Sequence, residues 1–456
     1  MMGVKKTFKT FFLFALLSVI LAGPAAQAAM EEGDDDDRPR IAAICTIYLP
    51  FLHADVIVSK FILGFPTDEG IKEPQVDIVS LYLDQGPDDS LGHQLGEKFD
   101  IPVYPTIEEA LTLGGDELAV DGVLLIGEHG AYPKNRYGQT MYPRMLMMKE
   151  ILRVLEYSER AVPVFNDKQL SYNHLDAQWM YDRAREMGVP MMAGSVIPLI
   201  WRDPPDFKHP VGAEIEEAVL LFHGGVDRYA IHGFELLQSQ LERRKGGETG
   251  VRSIKTLQGE AFDEALKDGT IPVDLVDEAL ENHLGYTLAE RPVREYAKDD
   301  ATAYLVEYLD GTRATMVQLN HYYADKWYES SRWLYAVRTK KGVKTCEFGL
   351  RSEYSPGMRQ PVPAFSYQGL NIQEMFLTGQ PQYPVERTLL TSGMSEAAIR
   401  SVYYERPIET PHLDIQYEPY DFEPIRPTAP TPSGASVEPW PEEEELRPLF
   451  EWRGSQ

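Results

Sequence analysis

Apolar and polar positions along the chain fall into two regimes. From residue 40 to about residue 200, short apolar runs alternate with amphipathic stretches. Ile41–Ile47, the run ending at Asp84, Ile101–Tyr104, Val120–Ile126, Val162–Phe165 and Val189–Ala193 have strand length and β-branched or apolar content. Helical stretches separate them, over about His53–Leu63, Ser90–Phe99, Ile107–Leu113 and Met141–Ser158. A further helix is predicted with an apolar face of Leu175, Trp179, Met180, Ala184 and Met187, with Asn173 or Ser171 as its cap and Gly188 as its end. Such alternation predicts an α/β, Rossmann-like, doubly wound parallel sheet.

After about Pro204 the regime changes. Ile215–Phe222 and Ser253–Leu257 read as strands, and Tyr229–Glu242, Phe262–Leu266 and Leu275–His283 as helices. Asp310-Gly311 and Lys341-Gly342 each sit between two strand-like runs and mark hairpins. An α+β domain with a large antiparallel sheet is therefore expected over 204–404, following a Rossmann-like, NAD(P)-binding-type domain over 40–203. Helices near Leu370–Thr378 and Ser395–Tyr404 would close it. Residues 405–456 are rich in Pro and acids and read as an extended tail.

The first 28 residues stand outside this pattern. Lys5, Lys6 and Lys9 precede an apolar run from Phe11 to Ala22, and Ala26-Gln27-Ala28 is a small-x-small cleavage signal. This is the layout of a secretory signal peptide and is too short for a membrane span. Residues 29–39 form an acidic linker. A secreted or periplasmic location is expected. The net charge of −27 becomes −30 once the three lysines are removed. A protein this acidic repels nucleic acid and anionic membranes, so neither is expected as a partner. Cys45 and Cys346 are the two cysteines; both lie in apolar strand-like runs and are expected as separate buried thiols.

Candidate chemistry clusters at strand ends, which in an open parallel sheet face the ligand crevice. Asn166, Asp167 and Lys168 follow one strand. Glu128 and His129 follow another, and lead into Tyr132, Lys134, Asn135 and Arg136. Together with His223, Asp227 and His232 these offer nitrogen and oxygen ligands, but the spacing matches no standard metal motif, and no metal is expected. A helix histidine packed against the sheet is the alternative reading of His232, and a solvated loop that of Lys168. Arg243, Arg244 and Lys245 in ERRKGGETG either grip an acidic sugar or form a solvated helix end. His321-Tyr322-Tyr323 and Trp327-Tyr328 either stack on a sugar or pack an interface. Glu386-Arg387 reads as a structural ion pair.

Four segments, in order, resemble the Gfo/Idh/MocA oxidoreductases: RIAAICTIYLPFLHAD, FDIPVYPTIEEAL with VDGVLLIGEHG, VFNDKQL, and DRYAIHGFELL. The resemblance spans roughly Arg40–Val402. It implies NAD or NADP as cofactor and a small-molecule carbohydrate as substrate. It places Lys168 at the family's catalytic lysine, His232 at its histidine, and Asp227 next to the residue, Arg228, that stands at its aspartate. Asp84 would hold the ribose, and Glu128 and His129 would lie beside the nicotinamide. The chain departs from the family at the dinucleotide turn, where Cys45, Ile47 and Pro50 replace the glycines that let backbone approach a pyrophosphate. Asp167 and Gln169 replace the Glu and Pro that flank the family's lysine. Three functions follow: an exported sugar oxidoreductase, a carbohydrate-binding or scaffold protein without cofactor, and a metal-assisted lyase. The tripartite N-terminus carries one expectation by itself. N-terminal sequencing of secreted material should begin at Ala29 or within a few residues, and soluble cytoplasmic protein starting at Met1 would refute export.

Overall fold

A computed structural model describes residues 38–67, 70–297, 301–320, 322, 332–349, 364–419 and 425–427. The proposed signal peptide, most of the acidic linker and the chain beyond 427 lie outside these residues.

Six parallel strands form the first sheet, in the spatial order Val103–Tyr104, Asp77–Gln85, Arg40–Ile47, Gly122–Ile126, Val164–Asp167 and Met191–Gly194. Counted along the chain that is 3-2-1-4-5-6. The order reverses between Arg40–Ile47 and Gly122–Ile126, so the carboxyl ends of these two strands open the crevice. Period two explains the first strand. Ile41, Ala43 and Cys45 enter the core shared with the second sheet, while Ala42 and Ile44 enter the core under the outer helices. Cys45 and Cys346 are both buried free thiols, as expected.

Eight strands form the second sheet: Ile408–Glu409, Val251–Gln258, Thr302–Tyr308, Arg313–Gln318, Ile215–Phe222, Arg332–Thr339, Gly342–Gly349 and Trp201–Asp203. Both expected hairpins are present. The sheet is not wholly antiparallel, because Ile215–Phe222 runs parallel to Arg313–Gln318. Ala218, Leu220 and Phe222 face the core that also holds Ile41 and Ala43, and Val219 and Leu221 face helices Gly259–Asp268 and Val273–Leu284. One apolar core therefore runs continuously from the first sheet into the second.

Several sequence expectations need correction. In helix His174–Glu186, Leu175 and Trp179 are exposed; the buried face is His174, Ala177, Met180, Tyr181 and Ala184. The Asn173 cap is real, accepting from the Asp176 N–H at 2.9 Å. The last helix runs over Val385–Tyr404, ten residues longer at its start than its apolar pattern indicated. Its Thr and Ser residues are buried and bond to backbone, so a run that reads as polar is interior. Thr388 donates to the Ala193 carbonyl and Ser392 accepts from the Leu170 N–H. Arg387 pairs not with its neighbour Glu386 but with buried Glu242. Arg244 is likewise buried, paired with Glu248 at 2.8 Å and Asp310 at 2.7 Å over the Tyr308 ring, so it neither grips a ligand nor points to solvent. Tyr322 is buried and donates to the Arg291 carbonyl; the other aromatics of that segment lie outside the described residues. The chain after Tyr404 does not hang free at first: Ile408–Glu409 extends the second sheet and Leu413 is fully buried.

Glu235, on helix Val226–Leu241, is buried against Thr388, Thr391 and Gly194, whose φ of 119° and close approach leave no room for a side chain. Burial pushes its carboxyl up to about 7, against the pull of Arg387. The unfolded chain ionises near 4.5. Between these values folding requires proton uptake, so stability falls as pH rises from 4.5 to 7 and is flat above. Glu235→Gln should remove that slope and raise stability at pH 8 by on the order of 3 kcal/mol, measured by urea unfolding at several pH values.

Candidate functional site

Three parallel strands end at one place. After Arg40–Ile47 comes His53, the first residue of helix His53–Leu63; after Gly122–Ile126 come Glu128 and His129; after Val164–Asp167 comes Lys168. His129 and Lys168 both adopt left-handed backbone, with φ of 68° and 61°. Such conformations are costly for residues with a Cβ and persist only where surroundings impose them. For Lys168 the surroundings are evident. Its N–H donates to the Gly194 carbonyl at 3.1 Å, and the Asn166 amide donates to the carbonyls of Asp167 and Gln169. The Ser392 hydroxyl holds Leu170. Thr46 ties in the neighbouring loop by donating to the Glu128 carbonyl at 2.7 Å.

Glu128 lies at the centre. It is buried, with Lys168 Nζ at 3.0 Å from Oε1 and the Arg144 guanidinium against Oε2. Burial alone would push its carboxyl up, but Lys168 and then Arg144 hold it well below the ordinary carboxylate range. Asp167, also buried, has His53 Nδ1 2.6 Å from Oδ2. His232, from helix Val226–Leu241, places Nδ1 2.5 Å from Ser195 Oγ, which also accepts from the Ile197 N–H. A cavity of about 230 Å³ lies among these groups and is lined by Glu128, His129, Lys168, His53 and His232. Trp333, Tyr229, Phe365 and Phe51 add aromatic walls, His223 a further imidazole, and Arg228 an exposed cation. Tyr229 reaches its position because Gly224, at φ 118°, has no Cβ to strike its ring.

Lys168, His232, Glu128 and His129 are thus brought together. His223 joins them in the lining, but Asp227, Asp84, Cys45 and Ile47 do not. Asp227 faces away, accepting from the N–H and hydroxyl of Thr140 at 3.1 and 3.0 Å. Asp84, next to last in the second strand, takes the hydroxyls of Tyr132 at 2.6 Å and Tyr82 at 3.0 Å. Its large separation from Cys45 in sequence comes from the hairpin Phe65–Thr67 and Gly70–Lys72, inserted between helix and strand. Cys45 and Ile47 do not form the turn at all: both belong to the first strand, with Cys45 in the core. His53, Ser195 and the Trp333 wall went unnoticed in the sequence. His53 alone had a signal there, as the first residue of the helix that follows the first strand.

The turn itself is Tyr48–Leu52, and it does not fit a dinucleotide pyrophosphate bound in the usual way. Phe51 takes φ 62° where a glycine would be unstrained. Asp55, 4% exposed, accepts from the Phe51 N–H at 2.6 Å and from Ser59 Oγ at 2.8 Å. The protein's own carboxylate therefore sits in the first helical turn and takes the N–H just before it, beside the helix N-terminus that would attract phosphate. A phosphate charge about 4 Å from it would be repelled by about 4 kcal/mol at an effective dielectric of 20. Among the described residues no three His, Cys, Asp or Glu are arranged to hold a metal ion. No helix of those residues is long and apolar enough to cross a membrane.

No protein-family model matches the chain, and no curated protein matches it. Solved structures do resemble it. GenD2 from gentamicin A biosynthesis, in complex with NAD, shares 14% identity over 82% of this chain and 96% of its own, at a TM-score of 0.49. Myo-inositol 2-dehydrogenase from Lactobacillus plantarum shares 11% over 82% and 99%, at 0.49. Myo-inositol dehydrogenase from Lactobacillus casei, in complex with NAD(H) and myo-inositol, shares 12% over 82% and 96%, at 0.49. These solved structures are Gfo/Idh/MocA-type dehydrogenases, the group that four segments of the sequence resemble.

Burial lowers His129 and His223 to about 4, with His53 adding to the effect on His129. Both imidazoles should therefore stay neutral down to about pH 5. Ring ¹⁵N and ¹H shifts should stay flat between pH 5.5 and 8, and a midpoint near 6.5 at either residue would refute this.

Proposed function

We propose that the crevice binds an uncharged, sugar-class polyol and carries out proton transfer on it. One observation carries the reading: Lys168 is locked by a strained backbone and by Glu128 at a strand end, facing a cavity with aromatic walls and neutral imidazoles. The buried charges balance, since Lys168 and Arg144 offset Glu128 and Asp167, and nothing inside demands a charged ligand. At about 230 Å³ the cavity is smaller than the roughly 300–1,000 Å³ of drug-sized ligand sites, which favours a single ring. The Lys168 ammonium, paired with Glu128, donates to a ligand hydroxyl and would hold an alkoxide. The imidazoles accept or donate to the other hydroxyls. Myo-inositol, bound by the Lactobacillus casei protein, is the natural first compound to try.

A nicotinamide-dependent sugar oxidoreductase is the second reading. It is favoured by the strand order and by Asp84 at the end of the second strand, where dinucleotide folds hold the ribose. It would need NAD or NADP to lie clear of the Tyr48–Leu52 turn. Export to the periplasm or beyond belongs to both readings as a proposal. A metal-assisted reaction has no donor set among the described residues to support it.

Calorimetric titration separates the two readings. Myo-inositol and simple monosaccharides should give heat, and millimolar NAD or NADP should give none. Stoichiometric dinucleotide in protein purified from its native compartment would overturn the first reading in favour of the second. Lys168→Ala should weaken polyol binding about 10- to 100-fold, the value of one charged hydrogen bond, and abolish any turnover found. Wild-type affinity in that variant would remove Lys168 from the site.

A further inference from the structure

Asp167 and His53 play no part in the reading above beyond lining and charge balance, yet they meet in a close buried contact of carboxylate and imidazole. Asp167 is the last residue of its strand and 1% exposed, so its charge needs a cationic or donor partner. His53 supplies one, with Nδ1 2.6 Å from Oδ2. The two atoms are this close without the alignment of a hydrogen bond, yet a ring proton on Nδ1 is favoured over a lone pair facing a buried carboxylate, which leaves the Nε2 lone pair for the cavity that His53 lines. The ring cannot turn freely. His129 packs on it at 5.3 Å between centroids and Phe365 meets it edge-on at 5.5 Å.

The other groups facing this cavity are poorer proton acceptors. Lys168 is tied up as an ammonium by Glu128. Glu128 is committed to Lys168 and Arg144. Burial disfavours the charged form of His129, His223 and His232, and none of them forms an ion pair with a carboxylate among the described residues; His232 contacts Ser195 instead. Arg228 is a cation at the rim.

We propose that His53, oriented by Asp167, is the proton acceptor of the crevice. Nε2 takes the proton of a ligand hydroxyl: the O–H bond breaks, an N–H bond forms, and the electron pair stays on oxygen beside the Lys168 ammonium. Asp167 balances the new imidazolium charge. The proposal rests on the polyol reading for its substrate, but its test needs no substrate.

The test combines ring ¹⁵N NMR with diethyl pyrocarbonate labelling of the full chain at pH 7, read by peptide mass. Neutral His53 should be the Nδ1–H tautomer and should label at Nε2. Asp167→Asn should slow that labelling at least fivefold, while Asp84→Asn should leave it unchanged. An Nε2–H tautomer, no label at His53, or a wild-type rate in Asp167→Asn would overturn the proposal. Should Asp167→Asn fail to fold, the wild-type tautomer alone decides. Absence of myo-inositol and monosaccharide binding, with tautomer and labelling as expected, would count against the polyol reading and leave the pair standing.

Discussion

Glu128 is a carboxylate taken out of water and held between two cations, and the arrangement of the crevice depends on it. Removing such a charge from solvent costs several kcal/mol, which only well-placed partners repay. Arg144 provides one from the helix Arg144–Tyr157 behind the strand, and Lys168 the other from the next strand end. Lys168 is thereby bound into an ion pair with Glu128 at 3.0 Å. The strained backbone at Lys168 is held against this attraction by Asn166, Gly194 and Ser392.

The last of these contacts shows how the two halves of the chain cooperate. Helix Val385–Tyr404 lies far from the crevice in sequence, yet it packs on helix Val226–Leu241, on strand Val251–Gln258 and on helix His174–Glu186. It reaches the Lys168 loop through Ser392 and the strand Met191–Gly194 through Thr388. The same helix carries Arg387, whose pairing with buried Glu242 joins it to the helix that bears His232. His232 and Lys168 are thus positioned by one shared support, and the apolar core that continues between the sheets leaves little freedom for the walls of the cavity to separate.

The first turn tells a complementary story. A helix N-terminus at the switch point of such a sheet is an anion site by default. Here Asp55 sits beside it, and Tyr48 and Ser59 complete the network, their hydroxyls 2.8 Å apart. The helix that would otherwise face a pyrophosphate instead presents His53 to the cavity. The difference from a phosphate cradle is local, and the strand order around it is that of a doubly wound sheet.

Periodicity was enough to read the elements of the first sheet, both hairpins and the strand-end placement of Lys168, Glu128 and His129, because burial on two faces and turn chemistry are local properties. It misread helix Val385–Tyr404 and the face of helix His174–Glu186, where buried Thr, Ser and His mimic surface residues and Leu175 and Trp179 mimic core. Arg244 and Arg387 looked like surface cations for the same reason: a charge is buried only when its partner, distant in sequence, is known. Glu128, His129, Lys168, His223 and His232 converge on the cavity, while Asp227, Asp84, Cys45 and Ile47 do not. Residue type and strand end were legible in the chain alone. The contact of His53 with Asp167, the closure of Ser195 on His232 and the placing of Asp55 beside the phosphate position were decided by the fold, since each joins groups whose separation only packing determines.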